Sequence, residues 1–306
     1  MSSPGSILRI ALSVSLLLLA ACYSAPKARP PVLLQEAQRH NLAGIEAEEK
    51  GRTASAEAQF TEAYRIFASV ENHSGMIMVL INRSRLYRSQ GDLEKAALSL
   101  KEAEALMPRA PELESEVYFE SGRLFVLKGD SDAALKMAQK AVTSAAEPDK
   151  GRMNNLLAGI WLKKGDSKKG RENAETALKA AKSSGSRREE ANALRLIGEA
   201  AFIEKSYGES IRHYEAALLI DREIAVAPRV VTDLIALSRA AEADGETGAA
   251  ADYLQRAVDA AIAGKMSAQV ASHLERMAEL YRRSNRGNLA EKTIELKNTL
   301  QQKRSE

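Results

Sequence analysis

The chain has 306 residues, with 44 Lys and Arg against 41 Asp and Glu, a formal net charge of +3, 5% aromatic residues and a single cysteine. Charge this evenly balanced leaves no clustered basic footprint, so no nucleic-acid partner is expected. One cysteine excludes an internal disulfide, and the body must be held by burial alone.

The first element is an apolar run from Ile10 to Ala21, preceded by Arg9. About a dozen residues are too few to span a bilayer, which takes roughly 20. A charged start, a short apolar middle and small residues before a cut are the layout of a secretory signal. The lone cysteine follows at once, in Leu19-Ala20-Ala21-Cys22. An incidental cysteine behind a conventional signal is the plainer alternative. These four residues and the run before them resemble the lipobox of bacterial lipoproteins. The resemblance implies cleavage before Cys22, a diacylglycerol on its thiol and an acyl chain such as palmitate on the freed amine. Several chains anchor durably where one alone does not. Tyr23, standing where an Asp would signal retention, implies by the same resemblance the outer membrane, periplasmic side.

Residues 1–21 are therefore expected to be a signal peptide and 22–34 a lipidated tether, with prolines at 26, 30 and 31. A proline-rich spacer stays extended and semi-rigid. From about residue 35 to 304 the composition turns to Ala, Leu, Glu, Lys and Arg, which favour helix.

In the stretch Arg88 to Pro108, Gly91-Asp92 reads as a turn followed by a helix cap, and Ala96, Leu100 and Ala103 fall on one helical face. The position of Ala96 recurs as Ala56, Ala134, Gly170, Ser210, Ala250 and Ala290. That of Ala103 recurs as Ala63, Ala141, Ala177, Ala217 and Ala257, ending in Lys297. Twelve residues before each Ala96 equivalent stands another small residue: Gly44, Ser84, Gly122, Ala158, Gly198, Ser238 and Ala278. A generic coiled coil or bundle would instead repeat every seven residues or show no long period.

These columns resemble the tetratricopeptide repeat (TPR) family. The resemblance implies an all-α, TPR-like α-solenoid of about seven helical hairpins, at approximately 37–76, 77–114, 115–150, 151–190, 191–230, 231–270 and 271–304. The spacing of about 40 exceeds the family's usual 34 or so, and longer helices are expected to absorb the excess.

The chemistry-bearing residues are scattered. His40, His73, His213 and His273 lie in different repeats without carboxylate or cysteine partners at ligand spacing, and there is no HExxH, GxSxG or P-loop order. No catalysis, metal, small-molecule substrate or cofactor beyond the lipid on Cys22 is expected. The resemblance instead implies a groove lined by the first helix of each repeat. Its candidate residues are Asn82, Arg85, Phe119, Arg123, Asn155, Asn192, Arg195, Phe202, Ile235 and Arg239. Arginine and asparagine suit an extended peptide, bonding its backbone and any carboxylate. The same arginines are also placed to pair with Glu116, Glu120 and Glu199. The expected role is a membrane-anchored, periplasm-facing scaffold for envelope proteins or peptide segments, assisting assembly of a pilus, secretin or outer-membrane complex. A docking regulator of a peptidoglycan-modifying enzyme is the alternative.

Overall fold

The computed structural model describes residues 31–305, leaving out the side chains of 267–269, 271 and 303–305. The signal peptide, Cys22 and the tether as far as residue 30 lie outside the described residues. The described chain divides into two compact units, one ending at Glu71 and one beginning at Asn72.

The first unit is one hairpin of α1 (Val32–Glu49) and α2 (Thr53–Ser69). The helix begins before residue 35, where the body was expected to start. The Pro31 carbonyl accepts from the Leu34 and Gln35 N–H groups at 2.9 and 3.1 Å. Proline's fixed φ suits a helix entry and its missing N–H costs nothing there. Gly44 makes room for Phe60: a Cβ on Gly44 would stand 2.5 Å from the ring.

The second unit has six hairpins: α3 (His73–Ser89) with α4 (Leu93–Leu106), α5 (Glu114–Lys128) with α6 (Ser131–Ser144), α7 (Lys150–Lys163) with α8 (Ser167–Ser184), α9 (Arg187–Ile203) with α10 (Tyr207–Glu223), α11 (Ala227–Ala243) with α12 (Thr247–Ala263), and α13 (Ser267–Arg283) with α14 (Gly287–Ser305). The first helices start one to four residues ahead of the repeat boundaries read from the columns. The columns mark packed positions, whereas caps decide where a helix starts. The Asp92, Asp130 and Asp166 carboxylates accept from the N–H groups of Lys95, Ala133 and Lys169 at 3.0, 2.9 and 3.0 Å. Before them Gly91, Gly129 and Gly165 adopt φ of 79, 78 and 86°, where glycine carries no Cβ penalty. Lys205 and Asn285 hold the corresponding left-handed conformation in later hairpins.

Not every helix is lengthened. Many run to 17 residues, but α4, α6 and α7 have 14 and α5 has 15. The short helices fall where the columns close up, and 3-10 turns at Met107–Arg109, Pro111–Leu113 and Glu147–Asp149 replace the missing ends.

Both small-residue columns face the helix–helix contacts. Ala96, Ala134, Ser210 and Ala250 are wholly buried, as are Ala103, Ala141, Ala177 and Ala217. Small side chains let two helices approach, and larger neighbours fill the space left. Tyr214 lies against Gly198, whose added Cβ would come within 2.9 Å of the ring. Two of the three serines in the columns bond the partner helix: Ser210 Oγ donates to the Gly198 carbonyl at 2.8 Å and Ser238 Oγ to that of Ala250 at 2.7 Å, whereas Ser84 Oγ is buried without a partner. Within the second unit, each second helix then packs on the first helix of the next hairpin. Neighbouring first helices from α3 to α9 also touch directly. A lone hairpin would leave apolar surface exposed, so serial stacking supplies the core. In α14 the alanine column ends at Lys297, whose Nζ pairs with Glu275.

Candidate functional site

The side-by-side first helices of the second unit form one wall of a cavity of about 570 Å³, open to solvent. Arg85 of α3, Phe119 and Arg123 of α5, Asn155 of α7, and Asn192 and Arg195 of α9 all line it. Asn82 lies outside, in a smaller cavity of about 290 Å³ that shares Arg85 and Arg152 with the larger one. Phe202, Ile235 and Arg239 form a separate group. The Arg239 guanidinium covers the Phe202 ring at 4.2 Å and pairs with Glu199. Glu199 also accepts from the Tyr214 hydroxyl at 2.7 Å. Ile235 packs against the core of the last hairpins.

Groove lining and internal pairing prove compatible, for the cavity arginines are largely engaged from behind. Glu120 is fully buried and receives Arg88 Nη1 at 2.6 Å, Arg85 Nε at 2.8 Å and Arg123 Nη1 at 3.2 Å. Burial pushes its carboxyl up, but the charges of Arg85, Arg123 and Arg88 together hold it below its ordinary value. Glu116 takes a second Arg85 bond, from Nη2 at 2.5 Å, and is gripped by Arg152. Burial disfavours the Arg152 charge, yet the Glu116 bonds outweigh it and raise its pKa. The guanidinium groups of Arg152 and Arg123 both lie over the Phe119 ring, at 4.5 and 5.7 Å.

At the other end Arg195 spans two helices. Its Nε donates to Asp233 of α11 at 2.6 Å, its Nη2 to Asp221 of α10, and its Nη1 to Asn192 Oδ1 at 2.9 Å. Both aspartates are fully buried. Burial, with the neighbouring Asp221 charge adding to it, lifts the Asp233 carboxyl to about 6 against the pull of Arg195. Two carboxylates sharing one guanidinium cannot both ionise freely. Asp221 Oδ1 is left without a hydrogen-bond partner.

The sequence reading missed three arginines on this wall: Arg152, Arg188 and Arg229. Arg152 stands six residues before the small Ala158 position, on a different face of the same helix, so the packed column does not mark it. Arg188 and Arg229 lie in the first turns of α9 and α11, beyond the boundaries inferred from the columns. Helix starts placed by cap and turn chemistry would have brought both into view. Among the described residues no group of side chains is arranged to hold a metal ion, and no helix is long and apolar enough to cross a membrane.

Family models described as tetratricopeptide repeat match residues 34–109 and 189–263, and, with a second model, 119–185. No curated protein matches the chain. Among solved structures, a signal-transduction ATPase with a tetratricopeptide repeat sensor from Pyrococcus horikoshii superposes with a TM-score of 0.68 at 17% identity. That match covers 86% of this chain and 42% of the ATPase, so the chain spans about two fifths of that protein's length. The apo form of RapI gives 0.66 at 13% identity, covering 87% and 77% of the two chains. Pseudomonas aeruginosa pilF gives 0.55 at 14%, covering 74% and 92%. Identities this low establish a shared fold alone. With repeat models matching most of its length, the chain belongs to the tetratricopeptide repeat family, whose members are generally non-catalytic protein-interaction scaffolds.

Proposed function

We propose that this protein is a lipid-anchored scaffold of the bacterial outer membrane, facing the periplasm, which receives a segment of another envelope protein in the groove of its second unit. The observation carrying the reading is that groove: five first helices present guanidinium and amide groups to one open cavity. A polar, concave wall of fixed hydrogen-bonding groups suits an extended chain, whose backbone and carboxylates need such partners. Anchoring rests on Cys22 and the run before it, and the proline-rich tether would hold the body off the lipid surface. Two fold neighbours point the same way. One is a Rap protein crystallised with Competence and Sporulation Factor, at a TM-score of 0.60 and 13% identity; the other is pilF. Assistance in assembling a pilus, secretin or outer-membrane complex is the role we assign.

A photo-crosslinking residue in place of Leu196, on the cavity wall, tests the groove in cells, with a second at Lys179, outside it, as control. Adducts with pilus, secretin or barrel components at Leu196 alone are expected. Adducts with a peptidoglycan synthase or hydrolase would favour the regulator instead, and adducts only at Lys179 would refute the groove. Cys22→Ser should leave the chain unprocessed or released; a variant that still fractionates with membranes at mature size would remove the anchor.

A further inference from the structure

Beneath the groove wall lies a charge cluster that lining the groove does not explain. Asp221 of α10 and Asp233 of α11 are both wholly buried, and the one guanidinium of Arg195 serves the two. Asp233 Oδ1 takes Arg195 Nε at 2.6 Å and its Oδ2 takes Nη2 at 3.4 Å, while Asp221 Oδ2 accepts from Nη2 as well. Asp221 Oδ1 has no hydrogen-bond partner. A buried acceptor left unmet is costly and calls for a donor.

Two buried negative charges against one positive charge leave a charge uncompensated, which burial penalises. A proton on Asp233 removes it. Burial first, then the Asp221 charge and hydrogen bond, lift the Asp233 carboxyl to about 6 against the pull of Arg195. From α9 the charged groups around the pair are Arg195, with Arg188 and Glu189 beyond it, and from the first turn of α11 it is Arg229. On α10 the flanking Arg222 and Glu223 are exposed. Helix α12 meets α11 on another face, where Ser238 bonds the Ala250 carbonyl.

Arg229 is half-buried, lines the groove and has no carboxylate within ion-pair distance among the described residues. It bonds the neutral Asn192 Oδ1, which Arg195 Nη1 also uses. Burial and the Arg195 charge disfavour the Arg229 charge, and Asp221 is the foremost group supporting it. A second cation thus stands beside the pair without being committed to it.

We propose that Asp221 and Asp233 hold one proton between them as a latch beneath the wall, and that its release to solvent draws the Arg229 guanidinium from Asn192 to Asp221 Oδ1. Two carboxylates then face two guanidinium groups, and the unmet acceptor gains its donor. The structure, with Arg229 on Asn192, corresponds to the protonated state. In acid the proton returns and Arg229 goes back to the groove. The latch stands on this side-chain cluster alone; only its consequence, a groove more positive in acid than at neutral pH, rests on the groove reading above.

NMR of the full chain, isotopically labelled at aspartate Cγ and arginine Nε, tests this from about pH 4 to 8. Two aspartate signals, identified by their loss in Asp221→Asn and Asp233→Asn, should move together with a midpoint of about 6. The Arg229 Nε signal, identified by its loss in Arg229→Gln, should move with the same midpoint and stay fixed in Asp233→Asn. Arg229→Gln should raise the midpoint of the pair by about one pH unit, because the ionised pair loses its second cation, and Arg229→Lys should restore it. A buried ion pair with a structural role alone would leave all three signals flat between about pH 5 and 7. Aspartate signals that do not titrate there would overturn the shared proton, and an Arg229 signal flat while the pair titrates would overturn the handover. Should an asparagine variant fail to fold, the parent chain decides alone, since ordinary aspartates titrate near about 4 and stand apart from the pair. None of these readouts needs a ligand, so failure of the latch is separable from failure of the crosslinks at Leu196.

Discussion

Replacing Glu120 with glutamine would take a negative charge from beneath three guanidinium groups. The carboxylate is fully buried, and Arg88, at 2.6 Å, has a side chain only 10% exposed. Arg85 and Arg123 are 34% and 44% exposed, so water can recover part of their solvation, and Arg85 keeps Glu116. Glutamine would retain one acceptor but turn an N–H₂ toward groups that can only donate. Breaking one side of a buried ion pair costs about 3–5 kcal/mol, and partial exposure of two partners lowers the expectation to roughly 2–4 kcal/mol. Urea unfolding followed by circular dichroism at pH 7 would measure the loss. Its pH dependence is a second check. The folded-state pKa of Glu120 is depressed, so its stabilisation is complete above the ordinary value of 4.5 and disappears as pH falls through the lower folded value. The gap between parent and variant should therefore narrow in acid. A loss below about 1 kcal/mol at pH 7 would show that the carboxylate is not what holds these arginines together.

Three further outcomes follow from the packing, the caps and the buried aspartates. Gly198→Ala places a Cβ 2.9 Å from the Tyr214 ring and 3.3 Å from the Ser210 carbonyl, and should cost about 1–3 kcal/mol in urea unfolding; a neutral effect would mean the two helices can separate freely. Asp92→Ala removes the acceptor for the Lys95 N–H and should cost about 1 kcal/mol, with Asp92→Asn largely retaining the cap. Asp233 has its pKa raised from 3.8 to about 6, so its protonation favours the folded state: that contribution is complete below 3.8 and lost as pH rises through about 6. Relative to the parent, Asp233→Asn should gain stability as pH rises from about 4 to about 6; parallel stability curves for the two would contradict the shared-guanidinium account.

Much of the architecture is written along the chain itself. Contacts within a hairpin join residues close in sequence, and small residues recur at the places where two helices must meet. Ala96, Ala103 and Gly198 could be placed at packed faces because helical period and turn spacing suffice to locate them. Gly91-Asp92 could be read as turn and cap for the same local reason. The helix starts were less legible. Pro31, Arg188 and Arg229 stand ahead of the packed columns, where nothing repeats clearly enough to mark the first turn. The commitments of the charged residues needed the folded chain. Arg85 meets Glu120 on a neighbouring helix, and Arg195 joins Asp221 and Asp233 from two others. Arg239 turns to Phe202 and Glu199, away from the cavity. Composition shows that such charges exist, but their availability to a partner depends on which carboxylates lie within about 4 Å, where Coulomb energy competes with solvation. Periodicity thus decided the solenoid, and only tertiary packing decided which of its cations stay free.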